Sequence, residues 1–198
     1  VYTLIFKVRA ASFSTTDYVL LIFCGLVPFL GFAEALGAGV SCVTSNKSLI
    51  KNTLFPIELI PVKSVLASSL TMVVGMVLLL IVLWSRGIVH KTQALLPLLL
   101  VLQIAFTLGV IWLLSAINVF FNDLSQVVSV LILLLMLVSP IAYTRDMIPP
   151  ELMPIMYPNP LYYLIMLYRD AAFLGQIQVP LLGAFTLITA ASFGLGAL

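Results

Sequence analysis

The chain has 198 residues, of which 63% are hydrophobic and 8% charged, with a formal net charge of +2. An ordinary soluble domain is about a quarter charged, so this composition excludes a soluble globular fold and specifies an integral membrane protein. So small a positive balance, with no long basic run, argues against nucleic acid as a partner and against a polybasic lipid-binding patch.

A helix needs about 20 apolar residues to cross the hydrocarbon core. Residues 1–6 read as the end of an earlier span. Four complete runs follow at 18–43, 62–84, 94–121 and 124–143, and a fifth covers 179–198. The sequence begins without a methionine and stops inside an apolar run, so both ends of the natural protein are expected to be missing. The expected whole is a single transmembrane domain of about six spans. The runs are rich in Leu, Val and Ile without strict alternation, which favours an all-α protein over a transmembrane barrel.

In the first run Gly31, Ala35 and Gly39 fall on one helical stripe and predict close helix packing, either within the chain or at a dimer seam. Glu34 lies well inside the same run. An ionisable group there lines a water-filled path or pairs with another helix, and the sequence leaves both open. Cys24 and Cys42 would lie about 27 Å apart on one continuous helix, beyond disulfide reach, and read as free buried thiols.

The connections differ in kind. Residues 45–61, SNKSLIKNTLFPIELIP, carry Lys47, Lys51 and Glu58 and place Leu49, Ile50, Leu54 and Phe55 at a spacing suited to a surface amphipathic helix. Residues 85–93 form a polar turn with Arg86, His90 and Lys91, where His90 reads as a solvated loop residue. Asn122 and Asp123 separate two runs with almost no loop, and Asp123 reads as a cap or turn residue. Six prolines between Ser139 and Pro160 forbid a straight span there.

Asn159 followed by Pro160 is a restart signal, with an N-cap oxygen and a proline suited to the first helical position. The helix it opens should run to about Leu174, where Gly175 supplies a stop. Before Arg169 it offers nine uncharged residues, about 14 Å, against a core of about 30 Å. It cannot span, and must lie at the interface or dip in and return, the second only where protein or a water-filled cavity surrounds it. Tyr157, Tyr162, Tyr163 and Tyr168 suit either anchoring at headgroup level or stacking against sugar rings.

There is no G-x-x-x-x-G-K-[ST] phosphate loop, no cysteine pair at metal-ligand spacing and no G-x-S-x-G elbow. ATP-driven work therefore belongs to a partner, and Asp146 with Glu151 is the sole seed for an acid-base site such as a glycan transferase would need. With alternating spans, the side holding 7–17, 85–93 and 144–178 carries Lys7, Arg9, Arg86, Lys91, Arg145 and Arg169, against Lys47, Lys51 and Lys63 opposite. The positive-inside rule taken alone puts the first side in the cytoplasm.

Three stretches, SNKSLIKNTLFPIELIP from Ser45, FFNDLSQVV from Phe120, and SPIAY from Ser139 followed by NPLYYLIMLYRD from Asn159, together resemble one family. It comprises the membrane permease subunits of ABC-type exporters that move O-antigen, capsular polysaccharide or teichoic acid on lipid carriers. The resemblance implies a cytoplasmic coupling helix at 45–61 that docks on a separate ATPase through Asn46, Lys47, Ile50, Lys51, Phe55 and Pro56. It implies re-entrant helices over 144–175 at the external mouth, with Pro140, Tyr143, Asn159, Pro160, Tyr162, Tyr163 and Arg169 at the gate. It further implies a homodimer in the cell inner membrane that moves lipid-linked glycan. The chain itself would bind no cofactor, metal or nucleic acid, with ATP and Mg on the partner. Asn122 stands where the family usually has a basic residue. The implied orientation opposes the charge count, and export of drugs or small lipids on the same scaffold is the alternative.

Overall fold

The computed structural model describes residues 14–47, 56–141 and 156–197, and every regular element among them is helical. Helix α1, Thr15–Val40, starts where Ser14 accepts the Asp17 amide at 3.2 Å and donates its hydroxyl to the Asp17 carboxylate at 2.6 Å. That cap satisfies one of the amides a helix start leaves open. A single turn, α2 (Cys42–Ser45), follows a break at Ser41. The run expected to be one helix over 18–43 is thus two, and Cys24 and Cys42 are both free and buried.

Helix α3 spans Leu59–Ser85 and ends in a tight reversal. Gly87 takes φ 77°, its amide donates to the Trp84 carbonyl, and the Ile88 amide donates to that of Leu83 at 3.0 Å. This left-handed glycine closure consumes the carbonyls a helix end leaves over. A 3-10 turn, Lys91–Leu95, leads into α4, Leu96–Phe120, with Pro97 in its first turn.

Helix α5 covers only Leu124–Val138, about 22 Å, shorter than the run expected to reach Tyr143. Pro140 is the reason: a residue before proline is driven out of the helical region, and Ser139 is already extended at ψ 142°. Tyr143 lies outside the described residues. Helix α6, Pro160–Arg169, passes into a π-helical turn, Asp170–Leu174, and stops at Gly175 with φ 69°. Helix α7 is Val179–Gly196. Four of these stretches are long and apolar enough to cross a membrane: Thr16–Val40, Leu59–Ser85, Lys91–Phe120 and Val179–Gly196. The protein is therefore an all-α, multi-pass membrane protein.

The core gathers between α1, α3, α4 and α6, with Leu21, Phe29, Leu36, Leu83, Leu99 and Ile111 wholly buried. Phe32 stacks on Phe106 at 5.6 Å, and Phe106 meets Phe185 of α7 at 5.7 Å. Small residues set the crossings. A Cβ on Gly31 would stand 2.7 Å from Met72 of α3, and one on Gly39 would stand 2.6 Å from Ile111 of α4. The Gly31, Ala35 and Gly39 stripe is therefore used inside the chain. Tighter still, Gly109 of α4 lies against the backbone of Ser192 and Phe193, and Gly196 against the backbone of Gly109. Outward-facing leucines and valines, such as Leu70, Leu133 and Leu187, form the surface offered to hydrocarbon.

Candidate functional site

The segment that breaks the pattern of spans is α6. At its start the Asn159 side-chain oxygen accepts the Leu161 amide at 3.0 Å, the N-cap expected from Asn-Pro. The same side chain donates to the Ser139 hydroxyl at 3.1 Å, tying the end of α5 to the start of α6 across 20 residues. Eight of the ten residues of α6 are buried. Protein surrounds this helix, which removes the option of its lying on the membrane surface.

At its end stands Arg169, 1% exposed. A buried guanidinium is tolerated only when its donors are met. Here Nε donates to the Leu21 carbonyl at 3.3 Å and Nη2 to the Ile141 carbonyl at 2.6 Å. Gly25 makes this possible: a Cβ there would come within 2.8 Å of Ile165 and 3.6 Å of the guanidinium. In the sequence Arg169 is the charge that ends the apolar stretch of α6. In the structure it is interior, joining α1, α6 and the extended segment after α5.

The π-helical turn that follows is held from outside. The Thr92 hydroxyl donates to the Ala171 carbonyl at 2.8 Å, and Gln93 Nε2 donates to that of Ala172 at 2.9 Å. Gln93 in turn accepts Trp84 Nε1 at 2.8 Å, and Asp170 accepts from Gln178 at 3.0 Å. Gly175 is packed so closely on His90 that a Cβ would come within 2.6 Å of its ring. His90 is thus half-buried against this turn and not a freely solvated residue.

The tyrosines divide. Tyr162 and Tyr168 are each 1% exposed, Tyr163 is half-buried with its hydroxyl on the Tyr157 carbonyl at 2.9 Å, and Tyr157 is half exposed. Tyr162 sits edge-on to Tyr157 and to Tyr163 at 6.3 and 5.4 Å. Burial closes the headgroup-anchor role to Tyr162 and Tyr168. Pro140 is buried beside Ser139 and Ile141, and Pro160 is half-buried at the helix start. The structure thus brings Pro140, Asn159, Pro160, Tyr162, Tyr163 and Arg169 into one neighbourhood through α6 and the segment after α5.

The other end of the bundle holds what is described of residues 45–61. Asn46 is spent locally, its amide donating to the Cys42 carbonyl at 2.7 Å as a cap on α2. Lys47, Glu58, Trp112 and Phe120 line a cavity of about 750 Å³, and Trp112 donates to the Glu58 carbonyl at 3.0 Å. Pro56 is exposed. Ile50, Lys51 and Phe55 lie outside the described residues, as do Asp146 and Glu151. Glu34 is exposed on α1, on the same side as Leu30, Gly37 and Ala38, so no described helix of this chain covers it. Among the described residues no three His, Cys, Asp or Glu side chains gather as metal ligands.

Thr92, Gln93, Ser139 and Gln178 escaped the sequence reading. The signal was present for Gln93: an amide at the threshold of an apolar run needs a buried partner. Its partner, a carbonyl freed by a π-turn 79 residues away, has no sequence signature.

The chain is 30% identical over 180 residues to the O-antigen export system permease protein RfbA of Klebsiella pneumoniae, covering 90% of this chain and 69% of that one. With the protein of the same description in Myxococcus xanthus it shares 29% over 152 residues, 76% of this chain and 58% of the relative. With the polysialic acid transport protein KpsM of Escherichia coli it shares 26% over 172 residues, 83% and 66%. The chain therefore spans about two thirds of the length of these relatives. The family model for the ABC-2 type transporter matches residues 1–173, and on that match this multi-pass helical protein belongs to the ABC-2 type transporter family of membrane permeases.

Proposed function

We propose that this chain is the channel-forming permease subunit of an ATP-driven exporter that moves lipid-linked polysaccharide across the cell inner membrane. The observation that carries the reading is α6: an apolar helix too short to span, buried in protein, in a chain 30% identical to an O-antigen export permease over 90% of its length. A re-entrant helix is stable in a bilayer only where protein or a water-filled path shields its ends, and such a path is what a polar polymer needs.

Two copies would enclose the path, with the exposed Glu34 of each α1 turned toward it, since a carboxylate facing hydrocarbon is costly. Pro140, Tyr143, Asn159, Pro160, Tyr162, Tyr163 and Arg169 would form the external gate. At the opposite end Asn46, Lys47, Ile50, Lys51, Phe55 and Pro56 would couple to a separate ATPase that holds ATP and Mg. Closure of that partner would press on residues 45–61, tilt α1 and α3, and open the gate through α6. The chain would make and break no covalent bond.

Deleting the gene tests the cargo. Lipid-linked glycan should accumulate inside the cell while the surface polymer disappears. Normal surface polymer would refute glycan export and leave drugs or small lipids as cargo. Loss of glycan synthesis itself would point to a transferase.

A further inference from the structure

A second cleft, of about 510 Å³, opens between α3 and α4 beside the polar turn at 85–93. Its body is apolar, built from Met72, Met76 and Leu80 of α3 and Leu96 and Leu100 of α4, and its lip carries Trp84 and Lys91. The size falls within the range of about 300–1,000 Å³ typical of small-molecule sites. Tyr168 of α6 forms part of the wall. It is 1% exposed, and its hydroxyl has no hydrogen-bond partner among the described residues. Buried hydroxyls are seldom left so, and this one belongs to a residue of the cleft wall.

We infer that this cleft binds one acyl chain of an anionic membrane phospholipid, with Lys91 at the phosphate and the Tyr168 hydroxyl on an ester carbonyl. The flanking surfaces name the occupant. Val77, Ile81, Leu98 and Val101 are exposed apolar residues on the same two spans, so the cleft opens onto hydrocarbon. The spacing fits as well. Ala171 and Ala172 meet Thr92 and Gln93 beside Lys91, and Tyr168 is three residues earlier, about 4.5 Å along the helix at 1.5 Å per residue. Phosphate and ester carbonyl are stacked in that order in a phospholipid. Arg86 donates toward Thr16 at 3.3 Å, and Lys91, exposed on the cleft lip, supplies the charge facing the headgroup. The site is independent of the exported cargo, so a failed deletion experiment would leave it standing.

Trp84 on the lip and Trp112 at the far end are the two tryptophans, which makes a direct test available. The full protein with Trp112→Phe is placed in phosphatidylcholine bilayers containing a minor fraction of brominated phosphatidylglycerol, and quenching of Trp84 is read. Quenching should exceed that expected from the mole fraction by about fivefold, the effect of one basic residue at an anionic surface. Lys91→Gln should return it to the mole-fraction value, and Tyr168→Phe should lower it while keeping the ring. Brominated phosphatidylcholine should show no enrichment. Quenching of the unmodified site in simple proportion to mole fraction would overturn the inference, as would enrichment untouched by both substitutions. Mass spectrometry of co-purified lipid that finds a polyprenyl-linked glycan in place of phospholipid would overturn it too.

Discussion

Replacing Gly109 by alanine should destabilise the protein, although alanine is the better helix former. A methyl group on Gly109 would collide with the Ser192 carbonyl and the Phe193 amide, and the reverse face of the same crossing puts Gly196 against the Gly109 backbone. Backbone atoms cannot rotate aside as a side chain can, so α4 and α7 must separate. Overpacking of this kind costs about 1–3 kcal/mol, and a gap of 0.5–1 Å forfeits a quarter to a half of each dispersion contact along the seam. Against this stands a gain of about 0.5–1 kcal/mol from helix propensity. The net is a loss of up to about 2.5 kcal/mol. Gly183, on the same helix α7, has nothing within 4 Å of its Cβ position, so Gly183→Ala should gain up to about 1 kcal/mol. Thermal unfolding of the two variants in one detergent reads the contrast, with midpoints moving in opposite directions from the parent. Equal midpoints for Gly109→Ala and Gly183→Ala would refute the tight crossing.

Arg169→Met should cost about 3 kcal/mol or more, since two charge-assisted hydrogen bonds are worth about 1.5–3 kcal/mol each. Arg169→Lys should restore little, because one ammonium cannot serve carbonyls on both α1 and the segment after α5; full recovery of the melting midpoint would show that charge alone matters. Asn159→Ala should lose about 1–2 kcal/mol through its cap and the Ser139 bond, and Asn159→Asp should retain the cap share, both read by thermal melts. On the proposed function, Lys51→Glu with Phe55→Ala should separate ATP hydrolysis by the proposed ATPase partner from export; unchanged export would remove the coupling assignment. Cys42 lies outside the span of α1, and burial raises its thiol above the ordinary 9.0. In a Cys24→Ala background its maleimide labelling rate should reach half its maximum above pH 9, since the thiolate is the nucleophile. A midpoint at or below pH 9 would contradict its burial.

Where one local rule governed, the fold was legible. Asn159-Pro160 opened a helix and Gly175 closed it because an N-cap oxygen, a fixed proline φ and a left-handed glycine act within a few residues. Pro140 was visible too, yet its effect on the preceding run was underestimated by five residues, from Tyr143 back to Val138. The interior position of Arg169 was not legible, because charge at the end of an apolar stretch looks the same whether it meets water or the Leu21 and Ile141 carbonyls. The same limit hid the partners of the tyrosines: a period and a composition specify that a face is apolar, and only the three-dimensional packing of α1, α4 and α7 against α6 determines which tyrosine that face encloses.

Helix α5 carries a consequence of its own. Among its fifteen residues only Val128 is buried, and apart from Gln126 and Ser129 near its start its exposed residues are apolar. At about 22 Å it falls some 8 Å short of a hydrocarbon core of about 30 Å. A short apolar helix relieves such a mismatch by thinning the bilayer beside it or by oligomerising, at fractions of a kcal/mol per ångström. Over 8 Å the strain reaches a few kcal/mol. The thickness of the surrounding membrane is then itself a variable of assembly: thick bilayers drive α5 toward a second copy, and thin ones relax that drive.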